Sequence, residues 1–424
     1  MLRRKSSDYL NLFRSEAQNH SRTQQSILKT EIAEGIKQNN IKTFLTTNVI
    51  GWLYHYIKSR FGGKHPFLDY STAVTNGVFD MYSTTAGDND KIKMVIASDW
   101  ATDTAESAII GGLMKNENGD YSIHLGDIYF VGAPPEIQDN FTAQGASWPR
   151  GNSGTLALPG NHEFYSNGNP YFEKLLPEMF VKTKNGTAGQ EASFFCLQND
   201  YWMVLGLDTG YHSVGKIIIE FIFKPDAHLD DKLIDWLKKE VRLADNKKGL
   251  VILTHHQYCS AFEAQFVKAA ETLQSIIGSE REVIWLWGHE HRFAVYGKYQ
   301  SEKGVKAFGR CIGHGGMPSE VGKIKGGNEC YKDPDQGKAK NYHLVFFDRR
   351  KKTVIANTIV GHNGFAVLNF DANKLSIEYK DESTWLFKED WEIDLPTGKL
   401  FGQALNNPAV SLQLIPGSYD DAVK

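Results

Sequence analysis

TLALPGNHE, from Thr155 to Glu163, is an apolar run that stops at Pro-Gly and then delivers three polar side chains in succession. The apolar part is long enough for a buried strand, and Pro159-Gly160 ends it because proline has no N–H to offer a ladder. Asn161, His162 and Glu163 are thereby expected just beyond the carboxyl end of a strand, an unusual way to close a buried element. The same design recurs on both sides. KMVIAS (93–98) runs into Asp99, YSIHL (121–125) into Gly126-Asp127, LVIL (250–253) and Thr254 into His255-His256, and VIWLW (283–287) into Gly288-His289-Glu290-His291. WMVLGL (202–207) stops at Asp208. Between these runs Leu233, Trp236, Leu237 and Val241 form a helical stripe over Asp235, Lys238, Lys239 and Glu240. Buried strands alternating with helices imply α/β layers. FAVLNFDANKLSIEY (365–379) predicts a hairpin turning at Asp371-Ala372-Asn373.

In open α/β sheets ligands gather at the carboxyl ends of strands, so residues distant in sequence can meet there. Asp, Asn and His together suit Mn, Fe or Zn better than calcium, which prefers oxygen throughout, or a thiolate zinc site. Single members have ordinary alternatives. Asp99 is also a plausible helix N-cap, Gly126-Asp127 a plausible turn, and His289 and His291 plausible surface histidines. Trp285 and Trp287 read as core. Gly313-His314-Gly315-Gly316 reads first as a tight turn needing positive φ, so His314 stands outside the site, as do His124 and His212.

The remaining composition sets bounds. A chain of 424 residues, 41% apolar and 23% charged, can hold a large core plus an accessory region. Its formal charge of -3 gives no support to a nucleic-acid binder. Cys196, Cys259, Cys311 and Cys330 lie far apart, as reduced thiols rather than a zinc ribbon or a disulfide scaffold. The basic start Met1 to Lys5 is not followed by the apolar core of a signal, and no run approaches the roughly 18 apolar residues of a membrane span. The expectation is a cytoplasmic protein. Residues 1–63 read as a helical accessory segment, 92–395 as the main domain, and 396–424 as a loosely structured tail.

Taken in order, Asp99, Gly126-Asp127, Gly160-Asn161-His162-Glu163, Thr254-His255-His256 and Gly288-His289-Glu290-His291 resemble the signature of the calcineurin-like metallophosphoesterases. The wording SDWA … HLGDIYF … LPGNHEF is similar in particular to the purple acid phosphatase-like branch. The resemblance implies a four-layer double β-sandwich flanked by helices, with two divalent metal ions (Mn, Fe or Zn) at one edge. It implies Asp99, Asp127 and His291 at the first metal, and Asp127 as bridge with Asn161, His255 and His289 at the second. His162 matches the family's unligated histidine, suited to hold a phosphoryl oxygen or protonate the departing alkoxide. His256 then either supports a ligand from behind or faces the substrate, Glu163 is a partner that orients a histidine, and Asp208 is either a support or an ordinary cap. The implied function is hydrolysis of a phosphate-ester substrate by a metal-bridging hydroxide; the competing class is a non-catalytic scaffold that binds protein. Two departures stand out. The first-motif histidine position is Ala101, and the position of the purple acid phosphatase tyrosine is Phe130, with Tyr129 one place early. By either family pattern the first metal lacks one expected ligand, and unless Tyr129 swings in from its neighbouring position the protein is expected to be colourless.

Overall fold

The structure is a computed structural model, and it describes residues 63–87, 89–214, 227–263, 265–321, 343–355, 358–415 and 417–424. The helical segment expected over 1–63 lies, except for its last residue, outside the described residues. The first strands are β1 (Val78–Asp80), β2 (Lys91–Ala97), β3 (Tyr121–His124), β4 (Gly154–Ala157), β5 (Phe180–Thr183), β6 (Gly186–Gly189) and β7 (Phe195–Gln198). Next come β8 (Trp202–Gly206), β9 (Gly249–Thr254), β10 (Glu282–Trp287), β11 (Phe293–Tyr299), β12 (Lys306–Ile312), β13 (Leu344–Phe347), β14 (Thr353–Ile355) and β15 (Thr358–Val360). The last are β16 (Gly364–Asp371), β17 (Lys374–Asp381), β18 (Trp385–Asp394), β19 (Lys399–Asn406) and β20 (Gln413–Leu414).

They form two nine-stranded sheets, β1-β7-β8-β9-β10-β12-β11-β13-β20 and β19-β18-β17-β16-β2-β3-β4-β5-β6, beside a small β14-β15 hairpin. In the second sheet β2, β3 and β4 run parallel, and in the first β8, β9, β10 and β12 do. Parallel neighbours end on the same side, which brings the chemistry-bearing tips of each sheet to one edge.

The sheets pack face to face. Met94, Ile96, Ile123 and Leu156 of one meet Val204, Val251, Ile284 and Leu286 of the other in a single interlayer core. Helix α1 (Ala105–Asn116) covers the outer face of the second sheet, where Ile110 and Met114 pack with Val95 and Ala97. Helices α3 (Asp231–Lys239) and α4 (Lys268–Ile277) cover the first through Leu233, Trp236, Leu237, Ala269 and Leu273. The one-turn helix α2 (Asn161–Phe164) lies between α1 and α3 in the chain. The result is the four-layer double sandwich expected from the sequence. The Leu233 stripe is buried as its spacing requires, and the Asp230 carboxylate caps the helix by accepting from the Lys232 amide.

The hairpin turns where the sequence places it, with Asp371 opposite Lys374 and Ala372 at φ 52°. The tail does not stay loose. Strand β19 joins the second sheet against β18, and a short 3-10 turn over Tyr419–Ala422 buries Ala422 between the sheets. The reason is steric: the inward positions of β19 are Leu400, Gly402 and Ala404, mostly small, while Phe401 and Leu405 face outward. Hydrophobic alternation is therefore inverted, and the strand is hard to see in the sequence.

Candidate metal centre

Every residue placed in the site by sequence reaches the same edge. Asp99 follows β2, Asp127 follows β3, Asn161 opens α2 after β4, His255 and His256 follow β9, and His289 and His291 follow β10. Cross-loop hydrogen bonds lock the tips together. The Asp99 amide donates to the Gly126 carbonyl, the Gly288 amide to His255, and the His289 amide to Asp99 Oδ2 at 2.9 Å. His255 Nδ1 donates to the Leu125 carbonyl at 3.0 Å, tying one sheet to the other. That bond orients the ring and turns Nε2 toward Asp127.

Asp99 and His255 are wholly buried, and Asp127 is 1% exposed. The possible ligand atoms of Asp99, Asp127 and His255 lie within 4.8 Å of one another, as do those of His255, His256 and His289. His255 thus belongs to both groups. Among the buried atoms without a hydrogen-bond partner are three that could bind a metal, Asn161 Oδ1, His255 Nε2 and His289 Nδ1. His255 Nε2 stands 3.3 Å from Asp127 Oδ1, in charge contact without hydrogen-bond alignment. Leaving such atoms unsatisfied costs about 1–3 kcal/mol each, so three together mark a place built for something else to bind. An amide oxygen, imidazole nitrogens and shared carboxylates are the donor set of a transition-metal site, and the residues present fit divalent cations. Gly160 is obligatory there, since a Cβ would stand 2.1 Å from Asp127 Oδ1 and 2.7 Å from His255 Nε2.

Residues 92–293 match the family model described as calcineurin-like phosphoesterase. Over these residues the chain is similar to that family. Among solved structures the chain is similar to PhoD, at 11% identity and TM-score 0.40, over 78% of this chain and 72% of that one. It is also similar to a predicted phosphoesterase from Streptococcus pneumoniae, at 12% identity and TM-score 0.26, over 74% and 98%. Vacuolar Protein Sorting 29 from Cryptosporidium parvum is similar at 10% identity and TM-score 0.26, over 75% and 100%. No curated protein matches.

Within this region the largest departure from the sequence reading concerns the first metal position. Spacing points to Phe130 and an absent oxygen, but the Tyr129 hydroxyl is there. It donates to Asp99 Oδ1 at 2.8 Å or Asp127 Oδ2 at 3.1 Å, and lies 2.7 Å from His291 Nε2. The three residues expected at the first metal thus surround one phenol, and the expectation of a colourless protein loses its basis. A residue-by-residue register leaves Phe130 and Tyr129 both open, because it carries no information about the local backbone path; the fold selects Tyr129. Ala101, where the family histidine would stand, pairs by backbone with Ile128, and its carbonyl accepts from the Tyr129 amide.

Other assignments sharpen. Glu163 orients backbone rather than a histidine: its carboxylate accepts from the amides of Asp127, Ile128 and Gly160. Asp208 accepts from Ser193 Oγ and the Tyr211 amide, so it shapes a turn. His256 is buried, its amide and Nδ1 both meeting Thr209 Oγ1. The glycines of 313–316 are needed for close approach, not for positive φ, since a Cβ at Gly315 would meet the Ser98 carbonyl at 2.3 Å. His314 is buried against Phe293, and His124 among Trp100, Phe141 and Trp148. His212 pairs with Asp230 at 2.9 Å.

The charges reinforce each other. Burial alone would push the Asp127 carboxyl up, but His255 and His162 beside it hold it well below the usual carboxylate range. Burial would lower His255, yet Asp127 and Asp99 push it up to about 9. Burial and then Asp127 push Glu163 up to about 8, and burial takes His289 down to about 4. A buried anion surrounded by imidazoles is the electrostatic frame that a cation would enter.

Proposed function

We propose that the chain hydrolyses a phosphate ester using a hydroxide nucleophile at a dinuclear centre of divalent cations. Metal-dependent phosphoester hydrolysis is the chemistry of the family, and one observation carries the finer reading. Asn161 Oδ1, His255 Nε2 and His289 Nδ1, from three separate loops, are buried without partners beside the one carboxylate, Asp127, that touches both sides of the cluster. Asp99, Asp127, His291 and Tyr129 would hold one cation, and Asp127, Asn161, His255 and His289 the other. When bound, such cations lower the pKa of a water toward neutrality and neutralise phosphoryl oxygens during displacement.

The protein's own groups supply the rest. Asp127 Oδ1 accepts from the His162 amide at 3.0 Å, so the turn that carries His162 is fixed to the central carboxylate. His162 Nδ1 donates to the Phe130 carbonyl at 2.6 Å, which orients the ring and leaves Nε2, 3.8 Å from Asp127 Oδ2, for the substrate. With about a fifth of its side chain in solvent, His162 is reachable by a leaving group, which it would protonate. Asn161 Nδ2 donates to Tyr165 Oη, turning its oxygen toward ligand duty.

Metal analysis together with a panel of phosphomonoesters and phosphodiesters tests the reading. Wild-type protein should carry metal and hydrolyse at least one class, and Asp127→Asn should lose both metals and all turnover. A metal-free, inactive wild type would favour the scaffold reading; full metal content and turnover in the variant would remove Asp127 from the bridging role.

A further inference from the structure

The two sheets have four edges, and three are closed by short strands. β1 has 3 residues, β20 has 2 and β6 has 4, two of them glycine. Short edges are a common protection against edge-to-edge pairing. β19 is the exception. It runs for 8 residues in unbroken register with β18, and Leu400 to Asn406 contains no charge, no proline and no bulge. Among the described residues, no backbone hydrogen bond occupies its outer edge. Its outward side chains include Phe401 at 60% exposure and Leu405 at 51%, two of the six large apolar residues exposed in the described structure.

We propose that this edge pairs with the same edge of a second copy, antiparallel about a two-fold axis at Gln403. The sequence is self-complementary in that register. Phe401 faces the partner's Leu405, Gly402 faces the partner's Ala404, and Leu400 faces the partner's Asn406. Phe401 and Leu405 share one face of the strand, so two equivalent Phe–Leu cross-strand pairs form, of the aromatic–aliphatic kind that stabilises sheets. No like charges meet, because the only charged residue of the strand, Lys399, falls at its end opposite Asn407. The two second sheets then become one continuous sheet of 18 strands, twice the nine of one copy, and the interface is isologous, as closed dimers require. The metal centre stays open, since β19 lies four strands from β2, about 19 Å at ordinary strand spacing.

Sedimentation or light scattering of the full chain reads the mass directly. Wild type should be dimeric, and Phe401→Lys/Leu405→Lys, which sets lysine against lysine twice, should halve the mass with hydrolysis and circular dichroism unchanged. Phe401→Lys/Leu405→Glu sets opposite charges across the axis and should restore the dimer. Gln403→Cys should form a disulfide between the two introduced cysteines, identified by peptide mapping, because directly opposed Cα atoms of an antiparallel pair lie about 4.5–5.5 Å apart, within the disulfide range. A monomeric wild type at all concentrations, as would follow if another part of the same chain covered the edge, overturns the proposal. So does a dimer that persists in the double-lysine variant.

Discussion

Asp99, Asp127 and His289 hold positive φ of 55°, 66° and 65°. Non-glycine residues take this left-handed region at a cost, and such residues persist when their surroundings over-determine them. Here the surroundings are each other: Asp99 Oδ2 accepts from the His289 amide, and the Asp99 amide is held by Gly126. The left-handed turns aim side chains from different strands at one point. At the same scale, His162→Ala should lower kcat by roughly 10²–10⁴ with metal content unchanged, least for esters with good leaving groups. Metal analysis beside a leaving-group series checks this, and metal loss in the variant would reassign His162 as a ligand. Tyr129 carries a second expectation. With its hydroxyl between Asp99, Asp127 and His291, protein loaded with iron in air should show a visible charge-transfer band that Tyr129→Phe abolishes. An unchanged band in the variant would place another chromophore there.

Turns and strand ends decide where the elements stop. Asp381 Oδ1 accepts from the amides of Ser383 and Thr384 in the turn between β17 and β18, and this turn carries Glu382. Glu382 receives the Lys352 ammonium and, at 2.9 Å, His362 Nδ1. Burial would raise its carboxyl, but His362 and Lys352 take it from an ordinary 4.5 to about 2. A depressed folded-state value adds stability that is fully present above the unfolded value and is lost as pH falls through the folded one. The window here is pH 4.5 down to about 2, and the contribution at neutral pH is on the order of 3 kcal/mol. Glu382→Gln should therefore cost on the order of 3 kcal/mol at pH 7 and flatten the loss of stability below pH 4.5. Urea unfolding at several pH values reads both, and a variant that keeps the wild-type acid profile would show that the ion pairs are neutral to folding.

Across the whole molecule the two sheets are joined by more than apolar contact. Arg310 on β12 and Glu389 on β18 are both fully buried, paired through Nε at 2.9 Å, with Tyr379 Oη also on Glu389 and the Ala422 carbonyl on Arg310. Such a network gives little net stability over apolar packing, but removing one partner is costly, so it fixes how the sheets and the chain's end register. None of this was legible in the sequence, where Arg310 and Glu389 stand 79 residues apart. What the sequence by itself determined was local. Apolar runs that end in Pro-Gly, Gly-Asp or Gly-His dictate buried strands with polar tips, and strands alternating with amphipathic helices dictate the layers. That was enough for α/β layers, the hairpin at 371–374 and polar candidates at the strand ends, while the double sandwich was implied by the family resemblance. Tertiary structure alone decided that Tyr129 and not Phe130 faces Asp99, that Glu163 holds backbone amides, and that the residues after 395 complete a sheet. In each case the outcome depends on backbone path or on a neighbour far along the chain, and periodicity carries information only about the face of an element, not about what is packed against it.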